Sequence, residues 1–177
     1  MKLDPDRATV VVIDVQEAFR KALDSFDQVA AKAAQLVQGA AAIGVPIVVT
    51  EQYPKGLGAT VPEVADSLPS GVQALDKVRF SAVGVEGFDL GERDQVLVCG
   101  IEAHVCVAQT ALDLIDLETE VHIAADAVGS RTDTDRDIGL ARMERAGAEL
   151  TSVEMALFEL LGSSDAPAFK EVQGIVK

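Results

Sequence analysis

Three residue types capable of covalent chemistry stand at matching places in this chain: Asp14, Lys77 and Cys106. Each follows a short apolar run. Thr9–Ile13 leads into Asp14, Val72–Asp76 into Lys77, and Gln95–Gly100 leads through a tight turn to Cys106. A continuous, β-branched apolar run reads as a strand buried on both faces, as in a parallel sheet. The carboxyl ends of such strands converge on one crevice. A thiol, a carboxylate and an ammonium gathered there make a nucleophile, a proton acceptor and a cation. The carboxylate takes the thiol proton, and the cation favours the thiolate while keeping the carboxylate charged. A helix-like segment, Val105–Leu117, follows the break at Gly100 and places Cys106 at or near a helix N-terminus. Unpaired N–H groups and the helix dipole lower a thiol pKa there. A free cysteine is otherwise an inert small hydrophobe. Cys99, inside the apolar run, reads as core.

The elements that must position these groups alternate along the chain. Phe26, Val29, Ala33, Leu36, Val37 and Ala40 recur at helical spacing, and Gly44 ends that helix before a strand at Pro46–Thr50. Glu51–Gly58 reads as a polar loop and Pro62–Leu68 as a short helix. Glu120–Ala124 is the next strand, and Asp126–Arg131 a loop. Thr132 with Asp135 resembles a capping box that opens a helix closing at Gly147. Glu149–Ser152 is a last short strand, and Glu154–Leu161 and a terminal segment are helical. Strands that alternate with helices call for a parallel sheet covered on both faces, a three-layer α/β/α arrangement with six strands. Gln16, Phe19, Gln52 and Tyr53 follow the first two strands and are candidates to line a substrate pocket.

Composition narrows the partners. The chain has 177 residues, 49% of them hydrophobic and 25% charged, which fits one globular domain over residues 1–177. A formal net charge of −14 opposes binding to nucleic acid or anionic membrane. Met1–Asp6 does not read as a secretory leader, and no apolar run is long enough to span a membrane. Two cysteines build no disulfide framework and fit a reducing cytoplasm. Gly56-x-Gly58 lacks the third glycine of a dinucleotide loop, since Val61 holds that place. With His104 and His122 the only histidines, a His-rich metal site is not expected, and no cofactor is implied. The stripe Phe169, Val172 and Val176 suggests an apolar face that docks on a neighbour in a homo-oligomer, a dimer or larger, or closes its own sheet.

The segments Val10–Phe19, Lys77–Ala82, Val96–Ala111 and Asp126–Arg131 together resemble the isochorismatase-like cysteine hydrolases, which include nicotinamidases and N-carbamoylsarcosine amidases. The resemblance implies a Rossmann-like isochorismatase fold and a catalytic triad of Asp14, Lys77 and Cys106. It also implies a cis peptide at Ile101–Glu102. Turn amides among Ile101, Glu102, Val105 and Cys106 would then face the carbonyl oxygen of a substrate. Two departures from the nicotinamidases stand out. Their Asp-x-His metal loop is replaced by Glu51-Gln52-Tyr53, and the Thr-Asp pair before the cysteine by Ala103 and His104. The expected activity is thiol-based hydrolysis of a small amide-like molecule. The alternatives are vinyl-ether hydrolysis of an isochorismate-like compound, which uses the aspartate and need not use the thiol, and a non-catalytic or redox-sensing oligomer.

Overall fold

The structure, a computed structural model, describes residues 2–177; Met1, part of the expected domain and of the leader reading, lies outside the described residues. Six strands form one parallel sheet: β1 Ala8–Ile13, β2 Ile47–Gln52, β3 Ala74–Lys77, β4 Gln95–Ile101, β5 Glu120–Gly129 and β6 Glu149–Thr151. Their spatial order is β3-β2-β1-β4-β5-β6, so the strand order reverses at β1 and β4. That reversal opens the crevice at the carboxyl ends of the central strands.

The helices are α1 Phe26–Ile43, α2 Pro54–Leu57, α3 Pro62–Ala65, α4 Ala108–Asp116, α5 Asp133–Ala146, α6 Val153–Leu161 and α7 Phe169–Val176. Val10 and Val12 of β1 pack on the side covered by α1, α6 and α7, whereas Val11 and Ile13 pack on the side covered by α4 and α5. Successive side chains of a strand point to opposite faces, so two-sided burial demands the unbroken apolar run seen in the sequence. Gly44, in the left-handed region at φ +90°, ends α1. Thr132 opens α5 by accepting from the Asp135 N–H at 3.1 Å.

Several boundaries differ from the sequence reading. β2 runs on through Glu51 and Gln52, because both pair in register with Asp76 and Lys77 of β3. Lys77 is therefore the last residue of β3, not the first residue beyond it. β5 continues to Gly129 where a loop is expected from Asp126, since Gly100 and Ile101 pair with Val128 and Gly129 across a register shift. In each case pairing with a neighbouring strand outweighs local turn signals. The helix expected from Val105 opens as a π-helical turn, Ala103–Val107, before α4 begins. The stripe Phe169, Val172 and Val176 is not a free face: Val172 is fully buried and Val176 packs against the α1 side of the core.

Candidate active site

β1 ends at Ile13, and Asp14 turns out of the strand at φ +52°. This left-handed conformation is unusual for a residue with a side chain, although aspartate tolerates it better than most. The register Ile13↔Thr50 brings Thr50 alongside, and its hydroxyl donates to Asp14 Oδ1 at 2.8 Å. Lys77 Nζ lies 2.7 Å from Asp14 Oδ2, and both side chains are 0% exposed. A desolvated ion pair survives only when its remaining hydrogen-bonding capacity is met. Lys77 Nζ also donates to Gln52 Oε1 at 2.7 Å and to the Phe80 carbonyl at 2.8 Å, with a longer contact of 3.3 Å to the Arg79 carbonyl. Asp14 Oδ2 faces the ammonium off hydrogen-bonding angle and accepts no hydrogen bond among the described residues, which leaves it lone-pair capacity.

Cys106 lies in the π-helical turn and is 6% exposed. Asp14 and Lys77 are near enough to act on its thiol, in opposite directions. Three residues from three strand ends are thus brought together, as the sequence spacing predicts. The electrostatic outcome differs from the sequence expectation. Burial pushes the Cys106 thiol up to about 12, Asp14 pushes the same way, and Lys77 pulls it down. Desolvation of a thiolate beneath the turn outweighs any helix-end effect, so the resting sulfur carries its proton.

The turn itself is held from three sides. The Ile101–Glu102 peptide is cis. The Val105 and Val107 N–H groups both donate to the Glu102 carbonyl, at 3.0 and 3.2 Å, so Val105 is not free to face a substrate oxygen as expected. Glu102 Oε1 accepts from Arg131 N at 3.1 Å and from Arg131 Nε at 2.9 Å. His104 Nδ1 is 3.0 Å from Ser130 Oγ, which gives this histidine a structural partner at the end of β5. On the opposite side Thr110 Oγ1 donates to the Cys106 carbonyl at 2.7 Å and accepts from Ala82 N at 3.0 Å, tying the segment after β3 to the nucleophile turn.

The four candidate pocket residues fall into different roles. Gln16 is fully buried and holds the backbone of Gln52 from both sides, accepting from its N–H at 2.7 Å and donating to its carbonyl at 3.0 Å. It donates again to the Gly58 carbonyl at 2.6 Å. Gln52 holds Lys77 and donates to the Val78 carbonyl at 2.9 Å. Phe19 is half-buried, in a 3₁₀ turn at Glu17–Lys21, and packs against the α1 side of the core. Tyr53 is exposed and lines a concavity of about 260 Å³ with Pro54, Lys55, Asp76, Lys77 and Val78.

The Isochorismatase domain family matches residues 8–155. The chain belongs to that family. It is 40% identical over 98% of its length to isochorismatase domain-containing protein 2 of Homo sapiens, covering 84% of that protein. The solved structure of the MAR1 ribonuclease from Caenorhabditis elegans is 40% identical, with a TM-score of 0.96 over 99% of this chain and 92% of that one. The YcaC gene product of Escherichia coli, described as an octameric hydrolase of unknown specificity, shares the fold at a TM-score of 0.83 and 21% identity, over 99% of this chain and 90% of that one.

Within this isochorismatase-family site, sequence reasoning missed Thr50, Thr110, Ser130 and the Phe80 carbonyl. Thr50 carried a usable signal: a polar residue ending an apolar strand must find a partner in the crevice. Thr110 and Ser130 carried none, because their partners lie on elements whose packing the sequence does not display.

Proposed function

We propose that this chain is a cysteine hydrolase that cleaves a small amide-like substrate through a thioester on Cys106. The observation that supports it most is the fully buried Lys77–Asp14 pair at 2.7 Å, both members of which act on the same thiol. Such a pair beneath a crevice is costly to a protein that only folds. Asp14 accepts the thiol proton, and the sulfur adds to the substrate carbonyl carbon. The oxyanion forms against a turn amide at Cys106. The C–N bond breaks as Asp14 returns the proton to the departing amine. Water then adds to the thioester as Asp14 takes its proton, the acid leaves, and the proton goes back to sulfur.

These steps use no metal or cofactor. Among the described residues no helix is long and apolar enough to cross a membrane. Two free, buried cysteines support a reducing, cytoplasmic setting as part of the same proposal.

A second reading follows from the name of the C. elegans neighbour, a ribonuclease. The formal net charge of −14 opposes a polyanionic substrate. One experiment separates the readings. Incubation with a panel of small primary amides is expected to yield released amine and an acyl adduct on Cys106 by mass spectrometry. Cys106→Ala is expected to lose both. Amide release at the wild-type rate by Cys106→Ala would refute thiol catalysis, and cleavage of a labelled RNA oligonucleotide without any adduct would establish the ribonuclease reading.

A further inference from the structure

An ammonium group has three hydrogens. Those of Lys77 go to three acceptors: Gln52 Oε1 at 2.7 Å, the Phe80 carbonyl at 2.8 Å and the Arg79 carbonyl at 3.3 Å, while Asp14 Oδ2 at 2.7 Å is held by charge, off hydrogen-bonding angle. A thiolate on Cys106 could gain a direct hydrogen bond from Lys77 only if one of these is released. The acceptors are not equally able to let go. The Phe80 and Arg79 carbonyls are main chain, fixed by the segment that follows β3. Gln52 is a partly exposed side chain whose only other hydrogen bond among the described residues is a donation to the Val78 carbonyl. Its backbone is clamped by Gln16, so the amide can swing while the strand end stays fixed.

We infer that Gln52 is the exchangeable acceptor of Lys77 and that it withholds from Cys106 the hydrogen bond the thiolate needs. Gln52 is thus a positioning residue that keeps the thiol at rest, and the one acceptor an incoming ligand can draw away. This rests on the Asp14–Lys77–Cys106 reading of the site. The titratable groups that act on Cys106 are Asp14 from the end of β1 and Lys77 from β3.

The test follows the rate of Cys106 modification by a neutral thiosulfonate between about pH 6 and 10, since thiolate alone reacts. In the wild type the logarithm of the rate is expected to rise with slope one across the range. In Gln52→Met, or Gln52→Ala if the first does not fold, the freed hydrogen passes to the thiolate. The rate near neutral pH is expected to rise about a hundredfold or more, which corresponds to a thiol pKa brought from about 12 to about 10, and the profile to level off at its upper end. Mere loosening would lift the line without changing its slope. Gln52→Glu keeps the acceptor and adds negative charge, so its rate is expected to fall below wild type. Unchanged profiles in the Gln52 variants, or a parallel shift alone, would overturn the inference. Lys77→Met, which should slow the reaction, separates the two levels. Asp14→Asn, which should speed it, replaces Lys77→Met if that variant does not fold. If the lysine or aspartate variant responds and the Gln52 variants do not, only the role of Gln52 falls. If neither moves the profile, the reading of the site itself falls. Cys106→Ala must remain unlabelled, because Cys99 is 0% exposed.

Discussion

Individual buried polar residues divide here by whether they have a partner. Asp14 and Lys77 are enclosed, but each has several. His122, 2% exposed in β5, has an Nε2 with no hydrogen-bond partner among the described residues. Burial lowers its pKa below the ordinary 6.5, while Glu159, Glu149 and Glu120 pull it up less strongly. The unfolded chain takes up a proton near pH 6.5, where the folded chain does not. Above that pH this residue makes no pH-dependent contribution; as pH falls from about 6.5 toward the folded-state pKa, stability is lost. The carboxylates with lowered pKa, Glu63, Asp94 and Glu120, act in a more acidic window and do not obscure this one. Urea midpoints measured between about pH 7.5 and 5 are expected to decline, and the decline should be shallower in His122→Asn. Equal slopes in the two proteins would show that His122 is not the titrating group.

Pairs of elements are set by close backbone approach at two glycines. Gly100 in β4 has φ +125°, and a Cβ built there would lie 2.0 Å from the Ile13 carbonyl oxygen. That carbonyl belongs to the residue before Asp14, so β1 and β4 meet where the site begins. Gly139 of α5 leaves room for the nucleophile turn, since a Cβ there would meet the Ala103 carbonyl oxygen at 2.9 Å. Neither obstacle is the flexible end of a side chain, so the backbone itself must move. Gly100→Ala combines a left-handed conformation with this clash and is expected to cost about 3 kcal/mol or more in chemical denaturation. A loss within about 0.5 kcal/mol would show that the strands can separate without harm.

The molecule as a whole is acidic, with 15 basic against 29 acidic side chains, and such a field keeps polyanions away. Its carboxyl-end surface carries apolar residues beside the site: Val78 is 80% exposed, Tyr53 55% and Phe80 51%. We propose that a second copy covers this rim in a homo-oligomer, the terminal stripe being already spent inside the chain. Stable interfaces bury roughly 1,200–2,000 Å² and center on such aromatic and aliphatic anchors. Light scattering is expected to give at least twice the 18.6 kDa chain mass, and Val78→Asp to shift it toward the monomer. A wild-type mass of one chain at micromolar concentration would count against this assembly.

By itself the sequence determined the six parallel strands and their helical cover, because two-sided burial forces unbroken apolar runs and those runs are visible. It also placed Asp14, Lys77 and Cys106 at strand ends, since residue type and position after a strand are local properties. Tertiary structure alone decided what surrounds them. The register that sets Thr50 beside Asp14, the hold of Gln52 on Lys77, and the clasp of Ser130 and Arg131 on the turn all join residues far apart in the chain. The clearest divergence is Cys106. A helix end promised a lowered thiol pKa, yet the fold buries the sulfur beneath its own turn. Desolvation depends on everything packed around an atom, and no stretch of sequence displays that.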